Sequence, residues 1–151
     1  MPKDEVSNEN AAKHLAGLMR LFNEQAPIAK TFGMTLSFDE ERRAVVDLPH
    51  NPGLDHALKG IHGGVYMTML DTAAWFSSAA LHQEECWITT SEMAVHFLRA
   101  SANTHLRAVG TLMKRGKRQD VVEAHLYDGD SKLVGHGVGS FIVLPGIPLK
   151  D

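Results

Sequence analysis

The first periodic signal along the chain is helical. Leu15, Leu18, Met19 and Phe22 recur at three- and four-residue spacing and make one apolar stripe. The pattern predicts an amphipathic helix over 11–26, closed off by Pro27, after a polar and mobile start over 1–10. The period then changes to two. Phe32, Met34, Leu36 and Phe38 alternate with other residues, Asp39-Glu40-Glu41-Arg42 turns, and Ala44 to Leu48 returns, so 31–49 reads as a hairpin. Asn51-Pro52-Gly53 and Lys59-Gly60 mark a loop of about ten residues, longer than most connections. Next comes an apolar run in which Asp71 is the only charged residue out to Gln83. It predicts a buried helix ending near His82. After Cys86 the chain reads as strands over 87–99, 104–114, 121–127 and 133–144. Turns fall at Arg115-Gly116-Lys117-Arg118 and Asp128-Gly129-Asp130-Ser131. Strands segregated from one long apolar helix predict an α+β fold, an antiparallel sheet wrapped around that helix. Gly135, Gly137 and Gly139 alternate along the last strand, a pattern that marks close backbone approach or a bend.

Composition narrows the function classes. A chain of 151 residues fits one domain over 1–151, and 44% hydrophobic with 22% charged residues is ordinary globular usage. A net charge of −3 argues against nucleic acid as a bulk electrostatic partner. The single Cys86 excludes an intramolecular disulfide and any zinc site with two cysteine ligands, so a reducing cytoplasm is the expected location. The first ten residues carry no apolar signal core. In the 64–81 segment Asp71 would cost roughly 2.5–3.5 kcal/mol on membrane insertion, so a core helix is expected rather than a membrane span. His50, His56 and His62 are evenly spaced on a loop in no common ligand pattern. His96 and His136 lie in strands beside apolar residues, and no metal is expected.

The chemistry concentrates on the apolar helix. A buried carboxylate is expensive unless hydrogen-bonded or used, which singles out Asp71. Ile61-His62-Gly63-Gly64 opens the helix, and its glycines leave backbone N–H groups approachable by a carbonyl or anion. The Gly63 N–H, aided by the helix dipole, suits an oxyanion, while Asp71 suits attack on a carbonyl or activation of water. These groups stand eight residues apart, roughly 12 Å along the axis at 1.5 Å per residue. They cannot both touch one reacting carbon. Two antiparallel helices about a two-fold would bring each helix start to the other's acid, so joint catalysis by both groups requires a dimer. Asp71 as a hydrogen-bonded structural acid, and the glycines as a tight turn, are the plainer alternatives.

His62-Gly63-Gly64 followed by Leu70-Asp71-Thr72-Ala73 resembles the signature of hotdog-fold acyl-CoA thioesterases of the phenylacetic-acid-degradation type. The resemblance continues through Phe97-Leu98-Arg99-Ala100, where the family usually reads Phe-Leu-Arg-Pro, and through the two late turns. It spans about 31–143. It implies a hotdog domain that hydrolyses acyl-CoA, assembled as a homodimer or a dimer of dimers. It implies no cofactor, with coenzyme A entering as part of the substrate. By position, the oxyanion donor would be Gly63 and the nucleophile or general base Asp71. His62 would shape the helix entrance, and Thr90 (or Thr89) would assist the acid or its water. Gly64 belongs to the same substrate-facing turn. Many relatives carry an Asn shortly before the His; here Asn51 lies further upstream and His56 is nearer, so either is a candidate to face the substrate. Arg99, Arg115, Lys117 and Arg118 are candidate contacts for coenzyme A phosphates, against a solvated hairpin tip as the plainer reading. A non-catalytic acyl-CoA binder and a hotdog hydratase or dehydratase are the alternative functions.

Overall fold

A computed structural model describes residues 3–82 and 86–147. Helix α1 spans Lys3–Arg20, passes through a π-helical turn at Leu21–Gln25, and is followed by a short helix α2 at Pro27–Phe32. Strands β1 (Thr35–Phe38) and β2 (Ala44–Leu48) form the first hairpin. A 3-10 turn at Pro52–Leu54 precedes the central helix α3 (Gly63–Ala79). Four long strands close the chain: β3 (Cys86–Phe97), β4 (Leu106–Lys114), β5 (Gln119–Asp128) and β6 (Leu133–Pro145). All neighbouring strands run antiparallel in a single sheet ordered β1-β2-β4-β5-β6-β3. This is the α+β hotdog arrangement, a six-stranded sheet holding one long helix. No helix of the described residues is long and apolar enough to cross a membrane.

The N-terminal region departs from the sequence expectation in two places. The first helix begins at Lys3, well before residue 11. Thr31 and Phe32, expected at the start of the hairpin, lie instead at the end of α2. Pro27 occupies the first turn of that helix, where a missing N–H costs nothing, so it starts a helix rather than only ending one. Gly33, at φ 88°, then caps it in the left-handed conformation that glycine adopts without strain.

Helix α3 sits in the concavity of the sheet. Met69, Leu70, Ala73 and Ala74 have 0% exposure, packed in the core with Val46, Leu106, Ala108, Val122, Ala124 and Leu126. Small residues let the backbones meet. A Cβ on Gly110 of β4 would collide with the Ala73 carbonyl oxygen and the Ser77 hydroxyl. On β6 a Cβ at Gly137 would come within 2.6 Å of Met93 Cε and 3.7 Å of Leu70 Cβ. The alternating glycines of the last strand therefore thin the sheet under the helix. Only one stripe of α3 retains access: Gly63, Gly64, Met67, Thr68, Asp71, Thr72 and Trp75 are half-buried or exposed at helical spacing. The lone acid of the apolar run lies on that stripe.

Strand β3 completes the setting. It is the sheet's edge, paired with β6 and with no neighbour on its other side among the described residues. The register slips by one residue between Thr90 and Glu92, a bulge at Ser91. Cys86 and Ile88 before the bulge are buried, and so are Met93 and Val95, in part, after it. Without the extra residue one of these two halves would face away from the helix.

Candidate active site

Asp71 meets Thr90 across the gap between α3 and β3. The Thr90 hydroxyl donates to Asp71 Oδ1 at 2.9 Å, and no other donor reaches the carboxylate among the described residues. The acid lines a cavity of about 420 Å³ with Met67, Thr68, Thr72, Thr90, Met93, Val95 and Ile28. Burial holds its carboxyl above the ordinary value of 3.8, and the Thr90 hydrogen bond pulls it partly back. Thr68 and Thr72 spend their hydroxyls on the carbonyls one turn back, at 2.9 and 2.7 Å to Gly64 and Thr68. Thr90 is thus the hydroxyl aimed at the acid, while Thr89 is exposed on the opposite face of β3.

The helix entrance is a second centre. His62, in extended conformation at φ −64° and ψ 137°, is the N-cap, and its Nδ1 accepts the Gly64 N–H at 2.8 Å. That bond needs an unprotonated Nδ1. Gly63 opens the helix, so its own N–H has no acceptor within the helix. Phe97 stands over it: a Cβ on Gly63 would lie 3.2 Å from Phe97 Cε1. Gly63 lines a cleft of about 380 Å³ with His56, Tyr66, Phe97, Leu98 and Arg99. The Tyr66 hydroxyl lies 2.7 Å from Ser101 Oγ and 2.9 Å from the Arg99 carbonyl, tying the strand end to the helix. Within one chain Gly63 and Asp71 open onto different cavities.

The remaining predicted residues divide. His56 lines the Gly63 cleft and accepts the Leu58 N–H at 3.1 Å. Asn51 is occupied elsewhere: its amide donates to the Phe32 carbonyl at 3.0 Å and its Oδ1 accepts from Gly53, capping the 3-10 turn. Arg99 reaches the cleft wall and is exposed. Arg115, Lys117 and Arg118 are exposed at the β4–β5 turn. That turn is tied by the Gly116 N–H to Asp120, which in turn holds Ser78 and His82. The basic turn therefore sits beyond the C-terminal end of α3, far from its own Gly63. Sequence reasoning missed Asp120, a buried acid on β5 that holds the C-terminal end of the helix; a charge beside a basic turn reads as solvated. It missed Phe97 and Tyr66 as walls of the entrance, although Phe97 opens the Phe97-Leu98-Arg99-Ala100 match.

The family model described as the Thioesterase superfamily matches residues 58–134, about half of the chain and including the whole of α3. Among solved structures, a Bacillus halodurans protein determined with CoA is 28% identical, with 97% of this chain and 96% of that one aligned at a TM-score of 0.76. The E. coli PaaI protein of the phenylacetic acid degradation operon is 23% identical over 92% of this chain and 96% of its own, with a TM-score of 0.76. A Haemophilus influenzae thioesterase is 16% identical over 91% and 94%, with a TM-score of 0.80.

Proposed function

The chain belongs to the thioesterase superfamily, and on that premise we propose that it hydrolyses acyl-CoA thioesters to a free acid and CoA. The observation that carries the reading is Asp71, a half-buried carboxylate with one hydroxyl partner on the wall of an open cavity. The Bacillus halodurans relative solved with CoA supports a CoA thioester as the substrate class. The phenylacetic-acid-degradation type, suggested by the His62-Gly63-Gly64 motif, is the narrower form of the proposal.

In this mechanism the thioester carbonyl oxygen sits at the Gly63 N–H, where the helix dipole favours the developing negative charge. Asp71 either takes a proton from the attacking water, so that the free acid forms as the CoA thiolate leaves, or attacks the carbonyl carbon itself, expelling the thiolate and leaving an acyl–Asp71 anhydride that water then hydrolyses. Thr90 holds the carboxylate in position. No cofactor is required. Because Gly63 and Asp71 lie about 12 Å apart on one helix, each site draws Gly63 from one subunit and Asp71 from the other. The open edge of β3 and the exposed Met67, Phe97 and Leu98 beside it support a homodimer whose two α3 helices run antiparallel across this edge. Such a dimer places the Arg115–Arg118 turn within reach of the shared site for the phosphates of CoA.

The experiment is an acyl-CoA panel assayed with wild type, Asp71→Ala, Gly63→Pro and a co-refolded mixture of the two variants. Proline removes the N–H at the first helical position, which tolerates it, and His62 already has the extended backbone that precedes proline. Each variant alone is expected to be nearly inactive. The mixture should recover about a quarter of wild-type activity, because half of the random dimers hold one intact composite site. No turnover of any thioester by the wild type would refute the enzyme and favour an acyl-CoA binder. Recovery no greater than the sum of the variants would refute the shared site.

A further inference from the structure

The outer face of the sheet carries a second cluster, on the side away from α3. On β5, Val122, Ala124 and Leu126 are buried against the helix, so Glu123 and His125 project outward in the alternation of a strand. His136 on β6 is the register partner of His125, and His96 on β3 is the register partner of His136. Three strands thus place three histidines in one row. His136 Nε2 lies 2.7 Å from Glu123 Oε1, and His125 Nε2 lies 3.6 Å from the same oxygen. One ligand atom from each of Glu123, His125 and His136 falls within 4.8 Å of the others. The His125 and His136 rings meet edge-on at 5.0 Å, and His96 stacks on His136 at 6.0 Å. All three ligand residues are half-buried.

We propose that Glu123, His125 and His136 form a binding site for a divalent transition metal of the zinc class. Two imidazole nitrogens and one carboxylate oxygen are the donor set zinc accepts, whereas magnesium and calcium take oxygen ligands. Zinc–ligand bonds of roughly 2.0–2.2 Å put neighbouring donors about 3.3 Å apart in a tetrahedral site. The present separations bracket that value, so small side-chain rotations on fixed strands suffice. Water fills the fourth position. The ion would link β5 to β6 across the sheet, opposite the face that carries Asp71. The ligand spacing is invisible in sequence because strand register, not a helical turn, brings His136 to His125.

The test titrates chelator-treated protein with Co2+ alone, following its visible absorption, and with Zn2+ by calorimetry. One site per chain is expected, with a rise in melting temperature on Zn2+ addition. Glu123→Gln and His136→Gln, each checked for folding by its metal-free melting curve, should weaken binding by about 100-fold or more. His105→Gln, at an exposed histidine outside the cluster, should leave binding unchanged. Asp71→Asn should also bind normally, which separates this site from the proposed hydrolytic one. Absence of binding in the wild type, retention of wild-type affinity in both ligand variants, or an equal loss in His105→Gln would overturn the proposal.

Discussion

Two carboxylates, Asp71 on the central helix and Asp120 on the strand beside its C-terminal end, live in opposite circumstances. Asp120 has 0% exposure, and its oxygens take the Ser78 hydroxyl at 2.7 Å, His82 Nε2 at 2.6 Å and the Gly116 N–H at 3.1 Å. Asp71 is half-buried, takes one hydroxyl, and opens onto a cavity. Burial alone does not make an acid reactive. Asp120 is saturated with donors and enclosed, so it clamps the C-terminal end of α3 to β5 and the β4–β5 turn. Asp71 has lost much of its hydration, received one partner in return, and kept a path to an incoming molecule. Unsatisfied capacity together with access is what distinguishes an acid able to act on a ligand from one that holds a fold.

The sharpest break in this comparison is Asp71→Asn. If Asp71 is base or nucleophile, kcat for acyl-CoA hydrolysis should fall about 10³-fold while the protein stays folded. An unchanged kcat in steady-state assays would make the two acids equivalent after all. The reverse variant, Asp120→Ala, should destabilise by about 3–5 kcal/mol, because Ser78, His82 and Gly116 lose their shared partner. Urea unfolding reads this directly, and the activity per folded molecule should be little affected. Thr90→Val is milder. Losing one hydrogen bond to a charged acceptor should lower kcat about tenfold. It should also move the acidic limb of the pH–rate profile upward, since Thr90 is what restrains the rise of the Asp71 pKa.

The smallest effect is on stability against pH. The folded state holds the Asp71 proton more tightly than the unfolded chain, because burial raises its pKa above 3.8. Below the unfolded value both states are protonated and the contribution is intact. It is lost as pH rises through the folded value, where the buried charge disfavours the folded state. Asp71→Asn should therefore flatten this part of the stability profile and slightly stabilise the protein above it. Urea midpoints measured across acidic to neutral pH check the sign.

Much of this contrast was legible in the chain and some was not. Asp71 stood out because it is the one charge in an apolar run, and its helix and the four late strands follow from simple periodicity. Thr90 could be nominated, but its choice over Thr89 depends on which face of β3 turns inward. Asp120 was hidden beside Arg118 and Gln119, in what reads as a solvated turn; its partners Ser78 and His82 lie 42 and 38 residues earlier. Phe32 misled because an aromatic at alternating spacing fits a strand until Pro27 and Gly33 are recognised as the two ends of a helix. Asn51 fitted a binding role by residue type, yet its Oδ1 caps the local 3-10 turn and its amide N–H is taken by the Phe32 carbonyl, 19 residues earlier. Long-range pairing was the missing information for Thr90, Asp120 and the Asn51 amide N–H, whereas Phe32 turned on local helix-end signals.

The bulge at Ser91 has a consequence for how such a protein can diversify. It separates β3 into two halves whose inward faces are set independently. The upstream half delivers the hydroxyl that meets Asp71; the downstream half supplies Met93 and Val95 to the cavity wall. Exchanges at the wall can reshape what the cavity accepts without disturbing the contact that holds the acid. One surplus residue thereby uncouples selectivity from reactivity along a single strand.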